Sequence, residues 1–190
     1  MRLLAGPDGR LRCDWALGAP EYLDYHDREW GEPITTVSGL YERLSLEAFQ
    51  SGLSWITILR KRDGFRAAFA GFQPDRVARF GPADVERLMN DPGIVRNRAK
   101  IEATIANAGV VEKLGEDFAR LILAHAVPDR PRPTGDGDLR ATAPESVAMA
   151  AELKAAGIRF VGPTTAYALM QAVGLVDDHL AGCFVPPRPS

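Results

Sequence analysis

The amino-acid sequence predicts an all-α protein, and three observations carry that prediction. Apolar residues recur at helical spacing through most of the 190 residues, 18 glycines and 14 prolines separate the periodic stretches, and neither sustained two-residue alternation nor an internal repeat is present.

The elements follow in chain order. Residues 36–59 place Leu40, Leu44, Ala48 and Phe49 on one helical face, with Ser38 as a candidate N-cap, before Gly52 interrupts the pattern. Helices of moderate length are expected over 63–70, 83–90, 98–114 and 116–125. The stretch 128–144 is rich in proline and glycine and poor in apolar residues, so an exposed connection is expected there. Two alanine-rich apolar helices, 145–156 and 163–173, are joined by Gly157-Ile158-Arg159-Phe160-Val161-Gly162. Pro163 suits the first position of the second helix, where its missing N–H costs nothing. That leaves backbone amides after Gly162 at a helix N-terminus, a place that attracts phosphate, although an ordinary helical hairpin has the same pattern.

Bulk composition narrows the function. A 46% hydrophobic and 25% charged chain is that of an ordinary globular protein, and no apolar run approaches the length that spans a bilayer. The opening MRLLAGPDGRLRC holds two leucines where a secretory signal needs a longer apolar stretch, so a cytoplasmic location is expected and a structural disulfide is not. A net charge of −2 and a pI near 5.9 exclude a globally basic nucleic-acid-binding surface. Two local basic clusters stand out, Arg60, Lys61, Arg62 and Arg66, and Arg96, Arg98 and Lys100. Each reads either as a local DNA contact or as a solvated helix end.

The two cysteines and three histidines are placed informatively. Cys13 and His26 lie near one end of the sequence, and His179 and Cys183, four positions apart, near the other. One Cys and one His from each end make a Cys2His2 set suited to zinc, against the alternative of two core cysteines and two satisfied histidines. Four protein ligands leave no open position for water, so such a zinc would be structural, one per chain, stapling the two ends together. His125 reads as a polar cap at a helix end.

All three tryptophans and three of the four tyrosines, Trp15, Tyr22, Tyr25, Trp30, Tyr41 and Trp55, fall within about forty residues. Such density is either an aromatic core or a set of walls for a planar cationic base. Glu47 sits in the same segment, in the otherwise apolar or small run SLEAFQSGLSW. A lone carboxylate there is either a surface residue or an acceptor for an exocyclic amine.

Together these features resemble the 3-methyladenine DNA glycosylase I family, a divergent zinc-containing branch of the helix-hairpin-helix glycosylases. The resemblance covers about Arg12 to Cys183 and is carried by RCDW, YLDYHDREWG, LEAFQSGLSWITILRKR, VRNRAKI and FVGPTTAYALMQAVGLVDDHLAGC. It implies a single catalytic unit over 1–190 with a helix-hairpin-helix element over 145–175, acting as a monomer on double-stranded DNA containing alkylated bases. It implies Cys13, His26, His179 and Cys183 as zinc ligands, Glu47 as the residue that recognises 3-methyladenine, and Trp55 as its stacking partner. Trp15, Tyr22, Tyr25 and Trp30 complete the implied pocket. Gly162 falls on the DNA-gripping hairpin, whose common second glycine is replaced here by Thr164. Gly52 and Leu53 read as a wedge that fills the gap left by an extruded nucleotide, or as a turn with a buried leucine. Asp177 falls where the wider superfamily has a catalytic Asp and this branch often has Asn, so it reads as a catalytic carboxylate or a helix cap, while Asp178 fits the branch pattern. Because α-helix 163–173 contains no lysine to form a Schiff base, hydrolysis without strand cleavage is expected. Two other classes remain open, a non-catalytic nucleobase or nucleic-acid binding module and a zinc hydrolase, the latter requiring an open metal position.

Overall fold

The computed structural model describes residues 1–187 and is mostly helical. Nine helices run α1 Pro20–Arg28, α2 Val37–Gln50, α3 Trp55–Ala68, α4 Pro74–Val77, α5 Pro82–Met89, α6 Arg98–Leu114, α7 Glu116–Leu123, α8 Pro144–Ala155 and α9 Pro163–Ala172 among the described residues. They are preceded by a two-stranded antiparallel hairpin, β1 Leu3–Ala5 and β2 Leu11–Cys13, in the register Leu3 with Cys13. Strands of three residues carry no readable alternation, which is why the sequence did not announce them.

Two boundaries differ from the sequence expectation. Thr36, not Ser38, is the N-cap of α2, and its hydroxyl accepts the Gly39 amide at 3.3 Å. The helix expected from residue 63 begins at Trp55. The late start expected for α3 has a physical source, since the turn at Ser51–Ser54 is short and the polar residues within α3 disguise its continuity. α1 was not expected at all; its Pro20 occupies the first turn and its apolar face is made of aromatic side chains.

α2 is the axis of the molecule. From Leu40 to Phe49 eight of its side chains besides Arg43 are buried, including Ser45 and Glu47, so this helix is enclosed on nearly every face rather than amphipathic. It packs on α3, α6, α7 and α9. Phe49 meets Phe65 at 4.6 Å between ring centroids, and the Tyr41 hydroxyl donates to the Thr104 carbonyl at 2.8 Å.

The C-terminus of α2 is held by Lys100 of α6. Lys100 is buried, and its ammonium donates to the carbonyls of Phe49 at 3.0 Å and Ser51 at 2.6 Å. A cation at a helix C-terminus meets both the unpaired carbonyls and the negative end of the helix dipole. Replacing Lys100 with Met should therefore leave two carbonyls without partners and lower unfolding free energy by about 1–3 kcal/mol, measured by urea denaturation.

Candidate functional site

A cavity of about 280 Å3 opens between α1, α2, α3 and α9, walled by Trp15, Tyr22, Tyr25, Trp30, Glu47, Gln50, Trp55, Ala168 and Gln171. The structure thus gathers at one place every aromatic residue the resemblance assigned to a pocket, together with Glu47. Tyr41 is the exception among the crowded aromatics and lies in the core. The rings brace one another. Trp15 meets Tyr22 and Trp30 edge to face at 5.7 and 5.1 Å, and Tyr25 lies 5.4 Å from Trp55 at an interplanar angle of 47°. The Tyr22 hydroxyl accepts the Ile56 amide at 2.9 Å, satisfying an unpaired donor at the start of α3 and fixing Trp55 beside α1.

Glu47 is buried rather than a surface residue of α2. Burial pushes its carboxyl up to about 8, against the opposing pull of Arg43 one helical turn earlier. Arg43 is itself engaged by Glu29 at 3.0 Å, and Glu29 also takes Arg62. The carboxyl therefore holds its proton more tightly than an ordinary glutamate does, in an aromatic enclosure where a positive charge would favour its ionisation.

Beside the pocket, a second hollow is lined by Glu47, Gln50, the turn Ser51–Ser54 and by Thr164, Thr165 and Ala168 of α9. Leu53 is 41% exposed at its rim, so the turn does not bury its leucine. Gly52 has φ +83°, a conformation that favours glycine. Gly162 is the N-cap of α9 in extended backbone, with no neighbour within 4 Å of a would-be Cβ, and Thr164 is exposed in the first turn. The basic clusters are mostly neutralised within the fold. Arg60 pairs with Glu21, Arg62 with Glu29, Arg66 with Glu42 and Arg98 with Glu86, while Lys100 is buried under the α2–α3 turn.

Cys13, His26 and Cys183 are buried and offer ligand atoms within 4.8 Å of one another, a group able to hold a metal ion. His179 stands next to them outside that group, its ring 5.0 Å from the His26 ring, and its Nε2 is buried without a hydrogen-bond partner. Each imidazole has its Nδ1 against a carboxylate, His26 on Asp27 at 2.8 Å and His179 on Asp177 at 3.0 Å. Those carboxylates are held in turn by Arg12 and Arg132. Carboxylate–imidazole pairs of this kind orient a ring so that the other nitrogen faces a metal. The close approach of Cys13 holds the Cys183 thiol below the usual thiol range, while the same approach and burial push Cys13 up. Two sulfurs and two imidazoles with one orphaned nitrogen are a donor set that fits zinc.

Asp177 is placed away from the aromatic pocket, in a separate cavity with Arg132 and Val185. One oxygen accepts the His179 amide at 3.2 Å and faces its Nδ1, and the other accepts from Arg132 at 2.8 Å. The helix-cap reading is corrected, because among the described residues no helix begins after α9. His125 contacts Glu152 at 3.2 Å beyond the end of α7.

Sequence reasoning missed Gln50, Ala168 and Gln171 as wall residues. A signal existed on α9, where Thr164, Ala168 and Gln171 share a face at helical spacing, but only knowledge of which face meets α2 gives it meaning. The displaced proton on Glu47 makes a measurable statement. A carboxyl that binds its proton more tightly when folded weakens the fold as pH rises from the ordinary 4.5 to about 8, because the unfolded chain releases the proton first. Glu47→Gln lacks that proton, so its thermal midpoint should gain on the natural protein's steadily between about pH 5 and pH 8. Parallel midpoints across that range would contradict a buried, protonated Glu47.

The family model described as methyladenine glycosylase matches residues 15–186. The chain is 42% identical over 181 residues to DNA-3-methyladenine glycosylase 1 of Escherichia coli (strain K12), covering 93% of this chain and 97% of that protein. A crystal structure of 3-methyladenine DNA glycosylase I superposes with a TM-score of 0.88 at 44% identity, covering 93% of this chain and 100% of the other. The Staphylococcus aureus enzyme, solved to explain 3-methyladenine recognition, superposes with a TM-score of 0.88 at 32% identity, covering 94% and 98%. Matched along nearly its whole length by sequence and by fold, the chain belongs to the methyladenine glycosylase family.

Proposed function

We propose that this chain is a DNA repair glycosylase that hydrolyses the N-glycosidic bond of 3-methyladenine in alkylated double-stranded DNA. The observation that carries the reading is a buried carboxyl, Glu47, set in a cavity with aromatic walls that adjoins an exposed leucine and the start of a helix.

The chemistry asks little of an acid. In DNA, 3-methyladenine is already cationic, so the base departs neutral and the glycosidic bond is weak. What the protein must supply is extrusion of the nucleotide, at a cost of roughly a few kcal/mol, and a pocket that holds the damaged base better than adenine. Trp55 and Tyr25 offer π faces to the cation, and its charge favours the ionised form of Glu47, which then accepts from the exocyclic amine. Leu53, carried on the Gly52 turn, fills the gap in the stack, and the amides after Gly162 together with Thr164 hold a flanking phosphate, which makes residues 145–175 the DNA-gripping helix-hairpin-helix element of a single unit spanning 1–190. Water then attacks the sugar carbon, the C–N bond breaks, and free base and an abasic site result. α9 holds no lysine, and Lys154 lies on α8, so the strand stays uncut.

Zinc, one per chain, is read as held by Cys13, His26, His179 and Cys183, where it supplies structure and no open coordination position. Asp177 is read as a positioning residue for His179. The protein is read as a cytoplasmic monomer, a reading that unpaired Cys13 and Cys183 suit because that compartment keeps thiols reduced.

Incubating the protein with methylated duplex DNA and identifying released bases by chromatography tests the function. Free 3-methyladenine with unbroken strands is expected, whereas tight binding with no released base favours a binding module. Cys13→Ser should bring bound zinc well below one per chain by elemental analysis and lower the thermal midpoint, because metal binding to a site absent from the unfolded chain adds to folding free energy. Asp177→Asn should slow single-turnover release of 3-methyladenine by less than about tenfold, or under about 1.4 kcal/mol of barrier, since its carboxylate faces His179 and Arg132 rather than the base.

A further inference from the structure

Gln171 contributes to the pocket wall, yet one end of its side chain is committed elsewhere. Its Nε2 donates to Asp178 Oδ2 at 2.7 Å. The direction of that amide follows from the groups behind it. Arg130 is a donor only and reaches the Tyr167 hydroxyl at 2.6 Å, so the single phenolic proton goes to Asp178 Oδ2, 2.7 Å away. Asp178, buried, with its Oδ1 3.4 Å from Arg130, is an acceptor facing two donors. Gln171 must therefore turn its NH2 to Asp178, which leaves its carbonyl oxygen as the group offered to the cavity. Among the described residues the Gln171 side chain makes one hydrogen bond, the one to Asp178.

We propose that Gln171, oriented by Asp178, is a second hydrogen-bond acceptor in the base pocket and that it selects bases bearing an exocyclic amine over those bearing a carbonyl at the same position. This rests on the functional reading above and deepens it. Glu47 is able to change its proton and so to suit either a donor or an acceptor, whereas the Gln171 carbonyl cannot donate. A 6-oxo base placed against it meets oxygen with oxygen, and an acceptor left without a donor in an enclosed site costs more than the bond it replaces. Asp178 does not touch the base. It acts through Gln171, with Tyr167 and Arg130 fixing its own position.

Calorimetry with two free bases, 3-methyladenine and 3-methylhypoxanthine, which carries a carbonyl in place of the amine, provides the test. The natural protein should prefer 3-methyladenine by at least about tenfold. Gln171→Leu should lose about tenfold in affinity for 3-methyladenine while 3-methylhypoxanthine, relieved of the opposed carbonyl, binds no worse or somewhat better, so the preference collapses. Asp178→Ala should reduce the same ratio by freeing the amide to rotate, and Asp178→Asn, which keeps an acceptor oxygen in place, should restore it. A purely structural role for Asp178 would lower both affinities together and leave the ratio intact. An unchanged ratio in Gln171→Leu, with 3-methyladenine still bound by the natural protein, overturns this inference alone. Absence of 3-methyladenine binding by the natural protein overturns the functional reading and this one with it.

Discussion

The rest of this structure depends on the burial, at one point, of Cys13, His26, His179 and Cys183. Groups that polar are not enclosed unless they are satisfied. Each side of the cluster brings its own support, with Arg12 and Asp27 behind His26 and Arg132 and Asp177 behind His179. The imidazoles do more than face one another. Trp15 packs on His26 at 5.2 Å and Trp30 on His179 at 4.7 Å, so two walls of the base pocket lean on the cluster. A pocket with rigid walls loses little freedom when a base enters, and that preorganisation is where a chain of modest size finds its selectivity.

Charge is arranged with the same economy. The arginines around the pocket are spent on Glu21, Glu29 and Glu42 rather than presented to solvent, which agrees with a net charge of −2. Glu29 in particular binds Arg62 and Arg43, and so limits how far Arg43 favours the ionised form of Glu47. Burial therefore raises the carboxyl with little offset from Arg43. A carboxyl raised in this way is one whose ionisation a neighbouring positive charge would favour, so the pocket is sensitive to charge as well as to shape.

Much of this was legible in the sequence, for identifiable reasons. Helices α6 and α9 declared themselves by periodicity, and α9 also by Pro163 at its start. Cys and His are scarce enough here that their positions alone suggested a cluster. The residues that escaped are those whose meaning comes from a partner far along the chain. Lys100 looked like part of a basic patch until Phe49 and Ser51 were seen beneath it. Asp177 looked like a cap because the absence of a following helix cannot be read from VDDH. Gln171 and Ala168 are unremarkable on an apolar helix, and Glu47 is legible as a carboxylate but not as a buried one. Periodicity reports which residues share a face; it does not report what that face meets.

The distance in sequence between Cys13 and Cys183 bears on when the pocket comes into being. The core of α2, α3, α6 and α7 draws on residues that are contiguous over the middle of the chain, and contacts of that kind form early. The walls formed by Trp15 and Trp30 are different. Their backing includes His179, and β2 is tied down by the hydrogen bond from the Phe184 amide to the Leu11 carbonyl at 2.8 Å. Contacts that span so much sequence close late in folding, so the middle of the core can form before residues 177–185 back these walls. A chain with a formed core but with residues 177–185 undocked therefore has an unfinished pocket.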